Sequence, residues 1–201
     1  MIDRKEKFEN EHYLSKIDGY PERNVDWFKE HIFQDVVLQL KDKKIFLDVG
    51  CAYGYYTVLF EDVFEKIIGL DFAENRIKFA SNNCRSENIE FVCSKIEEFK
   101  NDFKFDSMFT SMVFQHIPKN DKIDAFKTLH TLATDNCKFL MYDFNWGNED
   151  ITDDWVAPVS PQWIHKYIDD YWECESCEEF VRESEGDKGM MYRYILRKVI
   201  I

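Results

Sequence analysis

Between residues 45 and 144, uninterrupted apolar runs alternate with segments whose apolar positions recur at helical spacing. Few folds accommodate that alternation. The runs are IFLDV (45–49), KIIGLD (66–71), IEFVCS (89–94), KFDSMFT (104–110) and CKFLMYDF (137–144). Such runs suit strands buried on both faces, as in a parallel sheet covered by helices. Among the helical segments, 74–87 places Ile77 and Ala80 inward, and 121–134 places Ile123, Phe126, Leu129 and Leu132 or Ala133 inward. Ahead of them, Phe28, Ile32, Val36 and Leu40 form one stripe over 24–41. The expectation is an α/β, doubly wound (Rossmann-like) sheet.

After residue 144 the rhythm changes. SPQWIHKYIDDYW (160–172) reads as a helix with Ser160 as N-cap and Pro161 at its first position. Two strand-like segments then flank Glu185–Gly189 and predict a closing antiparallel hairpin. A chain of 201 residues suits one domain, with no repeat or linker to mark a second. We divide it into an N-terminal helical segment (1–42), a core (43–144) and an acceptor-side region with the hairpin (145–201).

Charge narrows the partners. The net charge is −13, and between Asn148 and Asp187 thirteen acidic side chains face only Lys166 and Arg182. Nucleic-acid binding rests largely on Lys and Arg contacts to phosphate, so no nucleic-acid partner is expected. Six cysteines are too few for a disulfide scaffold at this length. No apolar run approaches the ~20 residues that cross a bilayer, and the N-terminus lacks a signal segment. The expectation is a cytoplasmic protein without a membrane partner.

The first run leads into Gly50-Cys51-Ala52-Tyr53-Gly54, three small residues straight after a strand. In an α/β sheet, ligands sit at the strands' carboxyl ends, against such turns. The second run ends at Asp71, where a carboxylate can accept hydrogen bonds from both hydroxyls of an adenosine ribose. A dinucleotide fingerprint would be G-x-G-x-x-G, whereas this spacing is G-x-A-x-G. No lysine lies between Asp48 and Glu65, so nothing here is prepared for phosphate.

DVGCAYG, an acid ending the next strand, and FDSMFTSMVFQHIP together resemble the class I S-adenosylmethionine-dependent methyltransferase family, over about Val25 to Phe144. The resemblance implies a seven-stranded, mostly parallel sheet whose last strand is antiparallel, with S-adenosylmethionine as cofactor and S-adenosylhomocysteine as product. It implies that Asp48, Gly50, Ala52 and Gly54 floor the methionyl part, that Asp71 holds the ribose, and that Phe72 lies against the adenine. The family's adenine-contacting acid falls near Lys95 here. Ile96 is left to cap the ring, and Ser94 or Glu97 to supply the polar contact. Ala52 replaces the family's middle glycine, a mild departure tolerant of ordinary backbone angles.

Methyl transfer from a sulfonium is chiefly a matter of alignment, with a base needed only when the attacking atom must lose a proton early. His116, after the fourth strand, is the candidate base, or else a brace for its loop. Asp143 or Asn145 is a candidate acceptor contact. Tyr13 and Tyr20 are candidate lid residues, and Trp146, Trp155 and Trp163 candidate pocket walls. Cys174 and Cys177 lie among glutamates that disfavour a thiolate, and no ligand set for a metal is evident. The expected reaction is transfer to an O or N atom of a small-molecule acceptor. The alternatives are a protein acceptor, a non-catalytic partner subunit, or an NAD-dependent oxidoreductase.

Overall fold

The computed structural model describes residues 25–40, 44–145, 159–184 and 187–200. Its strands are β1 (Ile45–Val49), β2 (Lys66–Asp71), β3 (Ile89–Cys93), β4 (Phe105–Ser111), β5 (Ala133–Asn145), β6 (Trp172–Ser184) and β7 (Asp187–Lys198). They form one seven-stranded sheet in the order β3-β2-β1-β4-β5-β7-β6. The β1–β2, β2–β3 and β4–β5 pairings are parallel, while β7 runs antiparallel to both β5 and β6. The doubly wound α/β sheet with an antiparallel C-terminal hairpin is therefore as expected. The chain divides into two compact units, Met1–Lys95 and Ile96–Ile201.

In the first unit, residues 25–40 are helical, but Lys29–Phe33 form a π-helical segment before α1 (Gln34–Leu40). The stripe explains why. Phe28, Ile32, Val36 and Leu40 are spaced by four, and at about 3.6 residues per turn such a row drifts by about 40° at each step. A wider π turn takes up that drift, and all four side chains are fully buried. Phe28 stacks on Tyr56 at 4.0 Å between ring centroids, Phe46 on Phe64 at 4.3 Å, and Phe60 touches Phe28, Phe33 and Phe46. Much of the chain's phenylalanine is thus ordinary core packing. After the glycine turn the helix implied by a strand–turn–helix unit is only a 3-10 segment, Thr57–Phe60.

Helix α2 (Glu74–Asn83) is shorter than the 74–87 expected and ends at Cys84, whose N–H bonds Ala80 O at 2.9 Å. Ile77 and Ala80 face inward as read. Strand β3 was expected to be buried, but it lies at the sheet edge with only half-buried and exposed side chains.

In the second unit, α3 (Lys119–Leu132) starts behind Pro118 and runs directly into β5. Its buried face is Lys122, Ala125, Phe126, Leu129 and Leu132, so Lys122 takes the place expected for Ile123, which is only half-buried. Phe114, Phe126, Phe139 and Trp172 pack as one aromatic cluster, and Trp172 Nε1 donates to Phe126 O at 3.0 Å. Helix α4 (Pro161–Tyr167) begins as the sequence suggests, with Ser160 Oγ accepting from Trp163 N at 3.1 Å. It ends five residues before the expected 172. The tip of the hairpin, 185–186, lies outside the described residues.

Candidate cofactor turn and the cluster around His116

The glycine turn is held from β2. Gly50 N and Cys51 N both donate to Leu70 O, at 2.7 and 3.0 Å, which pins the exit of β1 against the end of its neighbour. Gly50, Ala52 and Gly54 all have positive φ, at 77°, 49° and 75°. For Ala52 this corrects the expectation of ordinary backbone angles. Its Cβ sits in the left-handed region, which costs about 1–2 kcal/mol relative to glycine.

Asp71 fixes that strained residue. Its Oδ2 accepts from Ala52 N at 3.0 Å and its Oδ1 from Ala73 N at 2.9 Å, so one carboxylate clamps the turn after β1 to the start of α2. It is 6% exposed. Asp48 is more enclosed, and Thr57 Oγ1 donates to its Oδ2 at 2.6 Å. Burial pushes the Asp48 carboxyl up to about 7. The Thr57 hydrogen bond opposes that shift, and the nearby Asp71 charge adds to it. Asp71 and the partly ionised Asp48 therefore flank a turn that has no basic residue from Ile45 to Glu65. That field suits a cationic sulfonium and opposes a pyrophosphate.

Gly54 is also closely packed from the side of β3 and α2. A Cβ built there would lie 2.7 Å from Phe91 Cζ and 3.1 Å from Ala80 Cβ. Its small size lets α2 and the β3 ring close on the turn. Gly69, in the middle of β2, faces the same ring, and a Cβ built there would lie 2.6 Å from Phe91 Cδ1.

Phe72 is half-buried, and its carbonyl accepts from Cys93 Sγ at 3.6 Å. Ser94 N donates to Asp71 O at 3.0 Å, which sets the start of the loop after β3, while Ser94 Oγ donates to Lys95 O. Lys95 is exposed. In the second unit, Ile96 is buried at the head of a 3-10 turn, and Glu97 presents its carbonyl to Thr128 Oγ1 at 3.3 Å.

His116 closes the 3-10 turn Phe114–His116 that follows β4. Asp143 is fully buried beside that turn. Its Oδ2 accepts from Gln115 N at 3.0 Å and its Oδ1 from Phe144 N at 3.1 Å, and Phe114 N–H bonds it as well. Burial raises its pKa, while Lys122 and the backbone donors pull it down. Burial lowers the pKa of Lys122, which the Asp143 charge opposes, and its Nζ lies 5.3 Å from the Trp163 ring centroid. Asp143 and His116 are thus joined through Gln115. The residue preceding Asp143, Tyr142, is buried as well. Asn145 ends β5. Trp163 packs against Phe126 and Tyr167. Tyr13, Tyr20, Trp146 and Trp155 lie outside the described residues.

Sequence reasoning passed over Thr57, Phe91, Gln115 and Lys122. Gln115 was readable as the neighbour of His116, whereas a lysine among DKIDAF reads as a solvated charge. Among the described residues no group of three or more His, Cys, Asp or Glu is placed to hold a metal. Cys174 and Cys177 are unbridged, with Cys177 pushed up to about 11 chiefly by burial. Among the described residues no helix is long and apolar enough to cross a membrane.

The sheet order, the glycine turn and the acid ending β2 define a class I S-adenosylmethionine-dependent methyltransferase domain. The chain belongs to the family described as Methyltransferase domain, which matches residues 40–183. Malonyl-[acyl-carrier protein] O-methyltransferase of Acetivibrio thermocellus is 35% identical over 80 residues, covering 39% of this chain and 28% of that protein. tRNA/tmRNA (uracil-C(5))-methyltransferase of Campylobacter lari is 24% identical over 130 residues, or 63% of this chain and 34% of that one. The chain thus matches about a third of each relative's length. N-methyltransferase NodS of Bradyrhizobium japonicum WM9, solved with S-adenosyl-L-homocysteine, superposes with a TM-score of 0.73 at 15% identity, covering 96% and 97% of the two chains.

Proposed function

We propose that this protein transfers a methyl group from S-adenosylmethionine to an O or N atom of a small-molecule acceptor. The observation that carries the cofactor half is the Asp71 clamp. It orders the left-handed turn and places a carboxylate where β2 ends, where an adenosine ribose would be held. Asp48, Gly50, Ala52 and Gly54 would floor the methionyl part, and Phe72, Ile96 and Ser94 or Glu97 would serve the adenine. When bound, the cofactor supplies an electrophilic methyl on a positive sulfur. The chain's own contribution is to hold the partners in line and exclude water, which needs no strong base.

The small-molecule half rests on charge. A net charge of −13 opposes the polyanionic backbone of RNA. The likeness to the tRNA-modifying relative spans only 34% of that protein, so it does not bring that acceptor with it. Transfer from methyl-labelled S-adenosylmethionine into a cell extract, fractionated into metabolites, RNA and protein, tests the reading. Label is expected in the low-mass fraction. Label in RNA or protein overturns the acceptor class, and failure to bind S-adenosylmethionine in calorimetry overturns the whole proposal.

A further inference from the structure

Gln115 lies between two hydrogen-bonding groups that together dictate its orientation. Phe144 N lies 3.2 Å from Gln115 Oε1, and Gln115 Nε2 lies 3.1 Å from His116 Nε2. The Phe144 N–H is shared with Asp143 Oδ1 at 3.1 Å, and because a backbone N–H can only donate, the carbonyl end of the Gln115 amide is the end that suits it. The NH2 end must then face His116, and it can only donate as well. His116 Nε2 therefore has to be an unprotonated acceptor. Turning the amide over would set its NH2 against the Phe144 N–H at a buried site, so this orientation is the one that pairs.

We propose that Gln115 is a positioning residue that locks His116 as the neutral Nδ1–H tautomer, with Nε2 engaged in accepting from the Gln115 amide. The chain of command runs from the β5 backbone at Phe144, through the Gln115 amide, to the imidazole. His116 then acts by orienting and donating from Nδ1–H, and Nε2 can take a proton only by breaking the Gln115 bond. This deepens the methyltransferase reading and rests on it only for the catalytic consequence. The tautomer itself is a property of the protein alone.

The test is long-range 1H–15N correlation spectroscopy of the imidazoles in the uniformly labelled full chain, at a pH where they are neutral, with His116→Asn assigning the signal. His130 provides a contrast within the same spectrum. Its Nε2 faces Val199 O at 2.8 Å and must carry the proton. The expected result is opposite tautomers, Nδ1–H for His116 and Nε2–H for His130. Gln115→Glu replaces the donor with an acceptor-only carboxylate and is expected to switch His116 to Nε2–H, which a merely structural role for Gln115 would not do. An Nε2–H or rapidly averaged His116 in the unmodified protein overturns the inference, as does an unswitched Gln115→Glu. Should that variant fail to fold, the unmodified spectrum still decides. Intact S-adenosylmethionine binding with the wrong tautomer refutes this inference alone, and the right tautomer without binding refutes only the function.

Discussion

One Phe91 ring closes over two glycines, and replacing each with alanine separates two costs that are usually entangled. At Gly69 the backbone is an ordinary strand, so a Cβ 2.6 Å from Phe91 Cδ1 and 3.1 Å from Cys51 Sγ adds only crowding. Overpacking of this kind costs about 1–3 kcal/mol. At Gly54 the crowding falls at the far end of the ring, 2.7 Å from Cζ, where a half-buried side chain yields more cheaply. To that is added the left-handed strain of φ 75°, about 1–2 kcal/mol. Urea unfolding should therefore show losses of about 2–4 kcal/mol for Gly54→Ala and about 1–3 kcal/mol for Gly69→Ala. Repeating both in a Phe91→Leu background removes the shared obstacle. The Gly69→Ala loss should mostly vanish there, while Gly54→Ala should retain its backbone share. Such coupling exceeds the few tenths of a kcal/mol within which independent sites add. If neither loss changes in the Phe91→Leu background, the ring is not what requires these glycines.

Three further outcomes follow from the site. Asp71→Ala should weaken S-adenosylmethionine binding at least tenfold in calorimetry and lower stability by about 1–3 kcal/mol for each unpaired N–H that stays buried; near-unchanged affinity would exclude the ribose role. Asp48 has a folded pKa of about 7, above its ordinary 3.8, so the folded state holds the proton more tightly and stability falls as pH rises between those values. That group alone should remove about 2–3 kcal/mol between pH 5 and pH 7. In urea titrations Asp48→Asn should flatten this dependence, and an unaltered pH profile would refute it. Asp143→Ala should destabilise by about 3–5 kcal/mol, since it removes the charge that faces buried Lys122 and the acceptor of Gln115 N and Phe114 N, while Phe144 N keeps Gln115 Oε1; the added Lys122→Met should recover part of that loss, and no recovery would show the two groups are uncoupled.

The periodic parts of this fold were legible because burial repeats along the chain. The stripe Phe28–Leu40, the apolar strands and the Ser160 cap all declare themselves within a few neighbouring residues. The acid ending β2 was legible too, since β1, its turn and the next strand follow at short range. What escaped were contacts closed over long separations. Nothing near Gly54 says that Phe91, 37 positions on, will lie against it. Lys122 reads as a surface charge until Asp143, on another element, accompanies it inside. Ala52 looked conformationally ordinary because a left-handed φ is imposed from outside, by the Asp71 bond to its N–H. The shortened helix after the turn escaped as well, since the aromatic packing of Phe60 and Phe64 rather than helical propensity decides the path there.

The π segment at Lys29–Phe33 has a consequence for how this chain can vary in length. A wide turn of that kind carries one residue more than regular helix needs, so excision of exposed Lys29 or Glu30 would let the helix tighten to regular pitch. Val36 and Leu40 would keep their inward phase and Ile32 would stay on the same side, three positions after Phe28 instead of four. The same excision one turn later, inside α1, would swing Leu40 outward by about 100°. Relatives that are one residue shorter here are therefore expected to carry their gap at 29–33.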